Sequence, residues 1–292
     1  MPQHSRELTE QALARIADPQ GEGARSCLSV YADAARTAAD SADARARAGQ
    51  TLGPLDGVVI TIKDLFDVQG EVTRAGSAVL ARTGAPARDD APVVARLRAA
   101  GAVIVAKTNM TEFAFSGVGL NPHFGTPGNP KHRPRIPGGS TSGGAVACAD
   151  GIGEIAIGTD TGGSTRIPAA LCGLVGWKPT ARRAPTLGVH PLSPSLDSVG
   201  SMAHSVAACA LADAVLAADS CAPLVPAELR ELRVGFLQGL VLTELDAQVT
   251  QRFSAALSHL SRVARCHDVS VEALSLMDEV NQRGGIAPPE AY

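Results

Sequence analysis

Two serines set the chemical question. Ser140 lies in "IPGGSTSGGAVA" (136–147) and Ser164, 24 residues later, in "GTDTGGSTRIPAALCG" (158–173); a pair of glycines precedes each. A serine hydroxyl is a weak nucleophile until a base takes its proton. Gly162 and Gly163 stand before a helix start, where backbone N–H groups converge and the helix adds positive partial charge. That arrangement suits an oxyanion hole. Taken alone, Ser164 reads as a helix N-cap. Taken with Ser140, it reads differently, because one helix and one strand between the two can fold back and return both ends to the same edge. The candidate base is Lys63, at the C-terminal end of the β-branched run "GVVITIKD" (57–64). Ligand sites in α/β sheets gather at the carboxyl ends of strands. Only four lysines occur, Lys63, Lys107, Lys131 and Lys178. A lysine accepts a proton only when neutral, so its pKa must fall by about 3 units, or ~4 kcal/mol.

Other chemistries fit poorly. No lysine follows the glycines at P-loop spacing, and a proline-rich loop stands where a dinucleotide fingerprint needs a strand. Neither G-x-S-x-G nor S-x-x-K occurs. A Ser-His-Asp triad is not excluded by motif, since its members can lie far apart. The histidines, however, read as terminal (His4), in or near an amphipathic helix (His259, His267), in loops (His123, His132, His190) or ahead of a helix (His204). A net charge of −3 and 3% aromatics argue against nucleic-acid binding. No apolar run approaches a membrane span, and no secretory signal is visible. The six cysteines form no C-x-x-C pair and no metal-type spacing with histidine. A reduced, cytoplasmic setting without metal or organic cofactor is expected.

These side chains need a scaffold. Strands are expected at 57–64, 102–109, 154–159 and 232–237. Helices are expected at 6–18, 31–48, 91–101, 143–150, 164–172, 205–218, 246–263 and 270–285. Loops fill 117–139, which carries five prolines, and 178–200. Strands that are continuous apolar runs, alternating with helices, predict an α/β class with a sheet covered on both faces. Ser142 or Thr141 is expected to cap the helix after Ser140, Arg166 to pair with Asp160, and Asp197 to be structural. "KHRPR" (131–135) reads as a solvated loop.

Six segments in order, "GVVITIKDLFDVQGEVTRAGS", "AKTNMTEFAFSG", "NPHFGTPGNP", "IPGGSTSGGAVA", "GTDTGGSTRIPAALCGLVGWKPT" and "PLSPSLDSVG", resemble the amidase signature family from about residue 50 to 220. The resemblance implies a mixed, mainly parallel twisted sheet covered by helices on both faces. It divides the chain into an N-terminal helical segment (1–50), a signature core (51–220) and the start of the C-terminal part of the same domain (221–292). It implies a Ser–Ser–Lys triad: Ser164 as acyl-forming nucleophile, Ser140 as bridging serine after a cis peptide bond, and Lys63 as general base. The amides of Thr161, Gly162, Gly163 and Ser164 would form the oxyanion hole. The expected activity is hydrolysis of a small-molecule carboxylic amide. The alternatives are the glutaminase (A) subunit of a tRNA-dependent amidotransferase and, from another class, an inactive fragment or non-catalytic relic of the fold. A homodimer or amidotransferase subunits are the partners implied, with no direct nucleic-acid or membrane contact. Family members are substantially longer, so a C-terminal part is expected to be missing, leaving sheet edge and apolar surface exposed.

Overall fold

A computed structural model describes residues 4–222, 224–239 and 242–291. Residues up to 222 form one compact unit, and those from 224 to 290 a second.

The first unit runs α1 (Ser5–Ala17), α2 (Gly23–Ser26), β1 (Cys27–Val30), α3 (Ala32–Arg47), β2 (Val59–Lys63), α4 (Ala78–Thr83), α5 (Pro92–Ala99), β3 (Val103–Thr108), α6 (Ser142–Ala149), β4 (Ile155–Asp160), α7 (Arg166–Cys172), β5 (Val175–Trp177), β6 (Ser198–Ala203) and α8 (Val206–Ala217). Its six strands lie in the order β1-β3-β2-β4-β6-β5. The centre, β3-β2-β4, is parallel, and β1, β6 and β5 join antiparallel. The expected mixed α/β sheet is therefore present, with its parallel part in the middle.

Alternation along the central strands explains the two layers. Val59 and Val103 pack with Ala12, Ile16, Ala35 and Ala39 of α1 and α3. Ile60, Ile62 and Ile104 pack with Val93, Val94 and Leu97 of α5 and with Ala212 and Leu216 of α8. Burying each of these valine, leucine and isoleucine side chains contributes about 1.5–3 kcal/mol, and each alanine methyl about 0.8 kcal/mol. A register irregularity between Ile60 and Thr61 pairs Ile62 with Lys107 and Lys63 with Thr108. Since neighbouring side chains alternate faces, the two lysines leave opposite sides of the sheet.

The apolar strands and most helices stand where the sequence places them, within a residue or two. β1, β5, β6 and β8 (Arg265–Val269) were not legible as strands, and β6 begins inside the expected 178–200 loop. All four are short or polar, and their partners define them. The second unit is built on β7 (Arg233–Leu237) and β8, paired in parallel, with α9 (Ala247–Leu260) between them in sequence.

Candidate active site

The three candidate side chains come from three structural positions: a strand end, a turn before a helix, and a turn after a strand. Lys63 ends β2 and is fully buried. Its Nζ donates to Ser140 Oγ at 2.8 Å and to Thr159 Oγ1 at 3.0 Å. Burial pushes the ammonium down to about 7, although Asp160 and Asp197 pull the other way. The fall is the size that a lysine base requires.

Ser140 follows a cis Gly139–Ser140 peptide bond and is fully buried. Its turn is pinned by backbone bonds. Gly139 N–H donates to Gly117 O at 2.8 Å, Thr111 N–H to Ser140 O at 3.0 Å, and Gly143 N–H to Asn109 O at 2.9 Å. Gly139 must be glycine, because a Cβ there would lie 2.7 Å from the backbone of Gly119. The expected side-chain cap on α6 is not made. Thr141, at the N-cap, instead points its hydroxyl to Thr159 O at 3.5 Å, and Ser142 Oγ has no partner among the described residues. Close packing of this turn against β4 directs Thr141 sideways rather than along the helix.

Ser164 lies beside this turn, its carbonyl accepting from Thr141 N–H at 3.2 Å. It is 7% exposed. The N-cap of α7 is Thr165, which makes no side-chain cap bond, so Ser164 does not serve as the cap. Asp160, at the end of β4 and fully buried, organises the turn. Its carboxylate accepts from the amides of Gly163 at 2.8 Å, Thr165 at 3.2 Å and Arg166 at 3.2 Å, and from the Arg166 guanidinium at 2.8 and 2.9 Å. Burial alone would raise its pKa, but the bonds and charge of Arg166 together with the turn amides outweigh burial and hold it below the usual range. The pairing of Arg166 with Asp160 is thus as expected.

One donor of the expected oxyanion set is thereby spoken for: Gly163 N–H points to Asp160. Among the described residues, the amides of Thr161, Gly162 and Ser164 have no acceptor. Beside Gly162 there is open space where a Cβ would sit. Thr161 Oγ1 donates to Asp197 Oδ1, and Asp197 Oδ2 accepts from the amides of Leu192 and Ser193 at 2.9 and 3.1 Å.

Sequence reasoning missed Thr159, whose hydroxyl shares Lys63 with Ser140. The signal was its place in "GTDTGG", at the end of a strand next to β2. No histidine among the described residues hydrogen-bonds Ser140 or Ser164; His190 packs its ring on Phe113 and His204 contacts Cys148 O. No cluster of three metal-ligating side chains occurs among the described residues. Nor is any helix among them long and apolar enough to cross a membrane.

The amidase family profile matches residues 7–282. A glutamyl-tRNA(Gln) amidotransferase subunit from Anaeromyxobacter dehalogenans is 44% identical over 282 residues, covering 91% of this chain and 56% of that protein. The AtzE component of 1-carboxybiuret hydrolase from Pseudomonas sp. is 41% identical over 249 residues, covering 80% of this chain and 54% of that protein. A crystal structure of an amidase superposes with a TM-score of 0.86 at 38% identity, over 99% of this chain and 64% of the other. The chain spans about half the length of the curated relatives it matches.

Proposed function

The chain belongs to the amidase family, and from that premise we propose that it hydrolyses a carboxylic amide through a serine acyl-enzyme. The observation that carries the reading is the buried 2.8 Å contact of Lys63 Nζ with Ser140 Oγ, in a turn whose next residue, Thr141, donates its amide to Ser164 O at 3.2 Å. Neutral Lys63 takes the Ser140 proton as Ser140 takes that of Ser164. Ser164 Oγ then attacks the amide carbon. The developing oxyanion is held by the amides of Thr161, Gly162 and Ser164. The relay runs backward to protonate the departing amine, which leaves the acyl group on Ser164. Water then attacks the acyl carbon, its proton passes through Ser140 to Lys63 and back to Ser164 Oγ as the C–Oγ bond breaks, and the carboxylic acid leaves. Each step moves one proton through Ser140, so the relay ends as it began.

Ser164→Ala is expected to abolish amide hydrolysis and labelling by a fluorophosphonate probe. Labelling retained at another serine overturns the assignment.

A second reading has its own support, the 44% identity with an amidotransferase subunit. In it the amide is glutamine and the chain works with partner subunits. Assaying glutamine beside simple aliphatic and aryl amides, with co-purification of partners, separates the two. Glutamine turnover that rises with a bound partner supports the amidotransferase reading. Turnover of simple amides without any partner supports the free amidase. Both readings imply a soluble, cytoplasmic setting.

A further inference from the structure

The carboxylate of Asp197 is nearly buried and has partners on two sides. On one, Oδ2 collects the amides of Leu192 and Ser193 and so closes the loop that precedes β6. On the other, Oδ1 accepts the hydroxyl of Thr161, the first residue of the turn that carries Ser164. The Thr161 amide is one of three left without an acceptor in that turn among the described residues. A turn rich in glycine has little rigidity of its own, so the hydroxyl bond from Thr161 to a loop anchored elsewhere limits where the first donor can point. We propose that Asp197 is a positioning residue for the hydrolysis proposed above: it ties the loop at 190–197 to the Thr161 end of the nucleophile turn, and its charge acts on the buried Lys63 amine. This inference rests on the Ser–Ser–Lys reading.

The two actions are physically separable. The tie is a hydrogen bond to one hydroxyl. The charge is a long-range effect on an amine in a site that excludes water, where electrostatic interactions are weakly screened. Asp197 directly precedes β6, whose Ser198 and Val199 pair with Asp160 and Thr159 of β4, and the Thr159 hydroxyl accepts from Lys63 Nζ at 3.0 Å. The charges of Asp160 and Asp197 both favour the protonated amine. Asp160 is itself bonded to Arg166, whose positive charge offsets it. The Thr161 hydroxyl and the two amides that bond Asp197 are neutral. Its charge is consequently the less compensated of the two. Removing it lets Lys63 lose its proton more readily, so the amine becomes a competent base at lower pH.

Four variants of the active protein test this by pH–rate profiles with kcat and KM resolved. Thr161→Val removes the tie and keeps the charge. It should lower kcat by about tenfold, since losing a whole oxyanion donor costs about 10²–10³, with KM and the acid limb unmoved. Asp197→Asn keeps the shape and removes the charge. It should move the acid limb of kcat/KM to lower pH by about half a unit or more. A merely structural carboxylate would lower stability and active fraction without moving that limb. Lys63→Ala and Ser164→Ala run alongside. If both are inactive while Thr161→Val keeps full kcat, or Asp197→Asn keeps the wild-type limb, the Asp197 proposal falls and the triad stands. If Lys63→Ala or Ser164→Ala keeps wild-type turnover, the triad reading falls and takes this proposal with it. Should Asp197→Asn fold poorly, Asp197→Glu supplies the second arm. It retains the charge at a longer reach, and should keep the limb in place while lowering kcat; a limb moved as far as in any charge-removing variant overturns the assignment.

Discussion

Lys63 is the residue whose environment most constrains function. Its fall from the usual 10.5 to about 7 is caused by burial, and burial acts on stability as well as on reactivity. Between those two values the unfolded chain binds a proton that the native state does not. Stability therefore rises with pH across roughly pH 7 to 10.5 on account of this group. At neutral pH and below the buried amine costs up to about 5 kcal/mol relative to strongly alkaline pH, at roughly 1.4 kcal/mol per pH unit. Lys63→Met is expected to be inactive yet more stable at pH 7, by about 1–3 kcal/mol in a denaturant titration, with the alkaline rise flattened. Under the proposed relay the same property governs activity: kcat/KM should fall about tenfold per pH unit below about 7. A profile level down to pH 5 would remove Lys63 from the role of base. Sequence alone singled out Lys63 from its strand-end position, but could not tell it apart from Lys107 by burial. Lys107 is equally buried, lies near the end of the parallel neighbour β3 and sits 3.8 Å from Asp64 Oδ1. Only the register irregularity, which turns it to the other face, separates the two, and no residue type announces that irregularity.

At the scale of elements, the site is built where α6 and α7 start. Asp160 gathers three amides and a guanidinium around the first turn of α7, and its carboxylate is wholly buried. Arg166→Met removes the paired guanidinium and leaves the buried carboxylate hydrogen-bonded by the turn amides. With the Arg166 side chain half exposed, the loss should be about 1–2 kcal/mol rather than the larger figure for a fully buried pair. The pH sign follows from Asp160 being held below its usual range: its contribution is present above about pH 4 and lost as the pH falls through its native pKa. The stability gap between wild type and variant should therefore be full above about pH 4 and narrow as the pH falls below it, as read by denaturant titrations at several pH values followed by circular dichroism. Gly139→Ala tests the other turn. Its Cβ meets Gly119 backbone at 2.7 Å, and backbone cannot yield as a side chain can. Turnover should fall by at least about tenfold, as a displaced catalytic group does, while fluorophosphonate labelling slows in parallel. The glycine spacing made both turns legible in the sequence. The caps were not, because a threonine at an N-cap does not reveal whether it looks along the helix or across to a strand.

For the molecule as a whole, all the candidate catalytic side chains lie in the first unit, which has its own cores on both faces of its sheet. The second unit presents a cavity of about 490 Å³ lined by Phe236, Leu242, Val249, Phe253, Leu257 and Leu260. Val249 and Phe253 are 53% and 41% exposed. Contiguous apolar surface of this kind promotes association. The 292-residue chain by itself is expected to elute from a sizing column as a concentration-dependent mixture. Phe253→Lys should shift it toward monomer, and an unchanged elution profile would exclude α9 as the associating face. The fold class was readable because the parallel centre consists of unbroken apolar runs. The flanking strands were not, since "CLSV", "VGW", "SVGSMA" and "RCHDV" are short or polar and become strands only through their partners.

The scarcity of lysine makes the buried pair an internal clock. Lys63 and Lys107 are wholly shielded, whereas Lys131 is exposed and Lys178 partly so. An amine-acylating reagent should mark Lys131 and Lys178 within the native lifetime, and reach the other two only when the sheet opens. Counting modified lysines by mass spectrometry would then time global opening without any introduced probe. A ligand that stabilises the native state would lengthen the interval between the second and third lysine modifications, counted apart from the α-amino group.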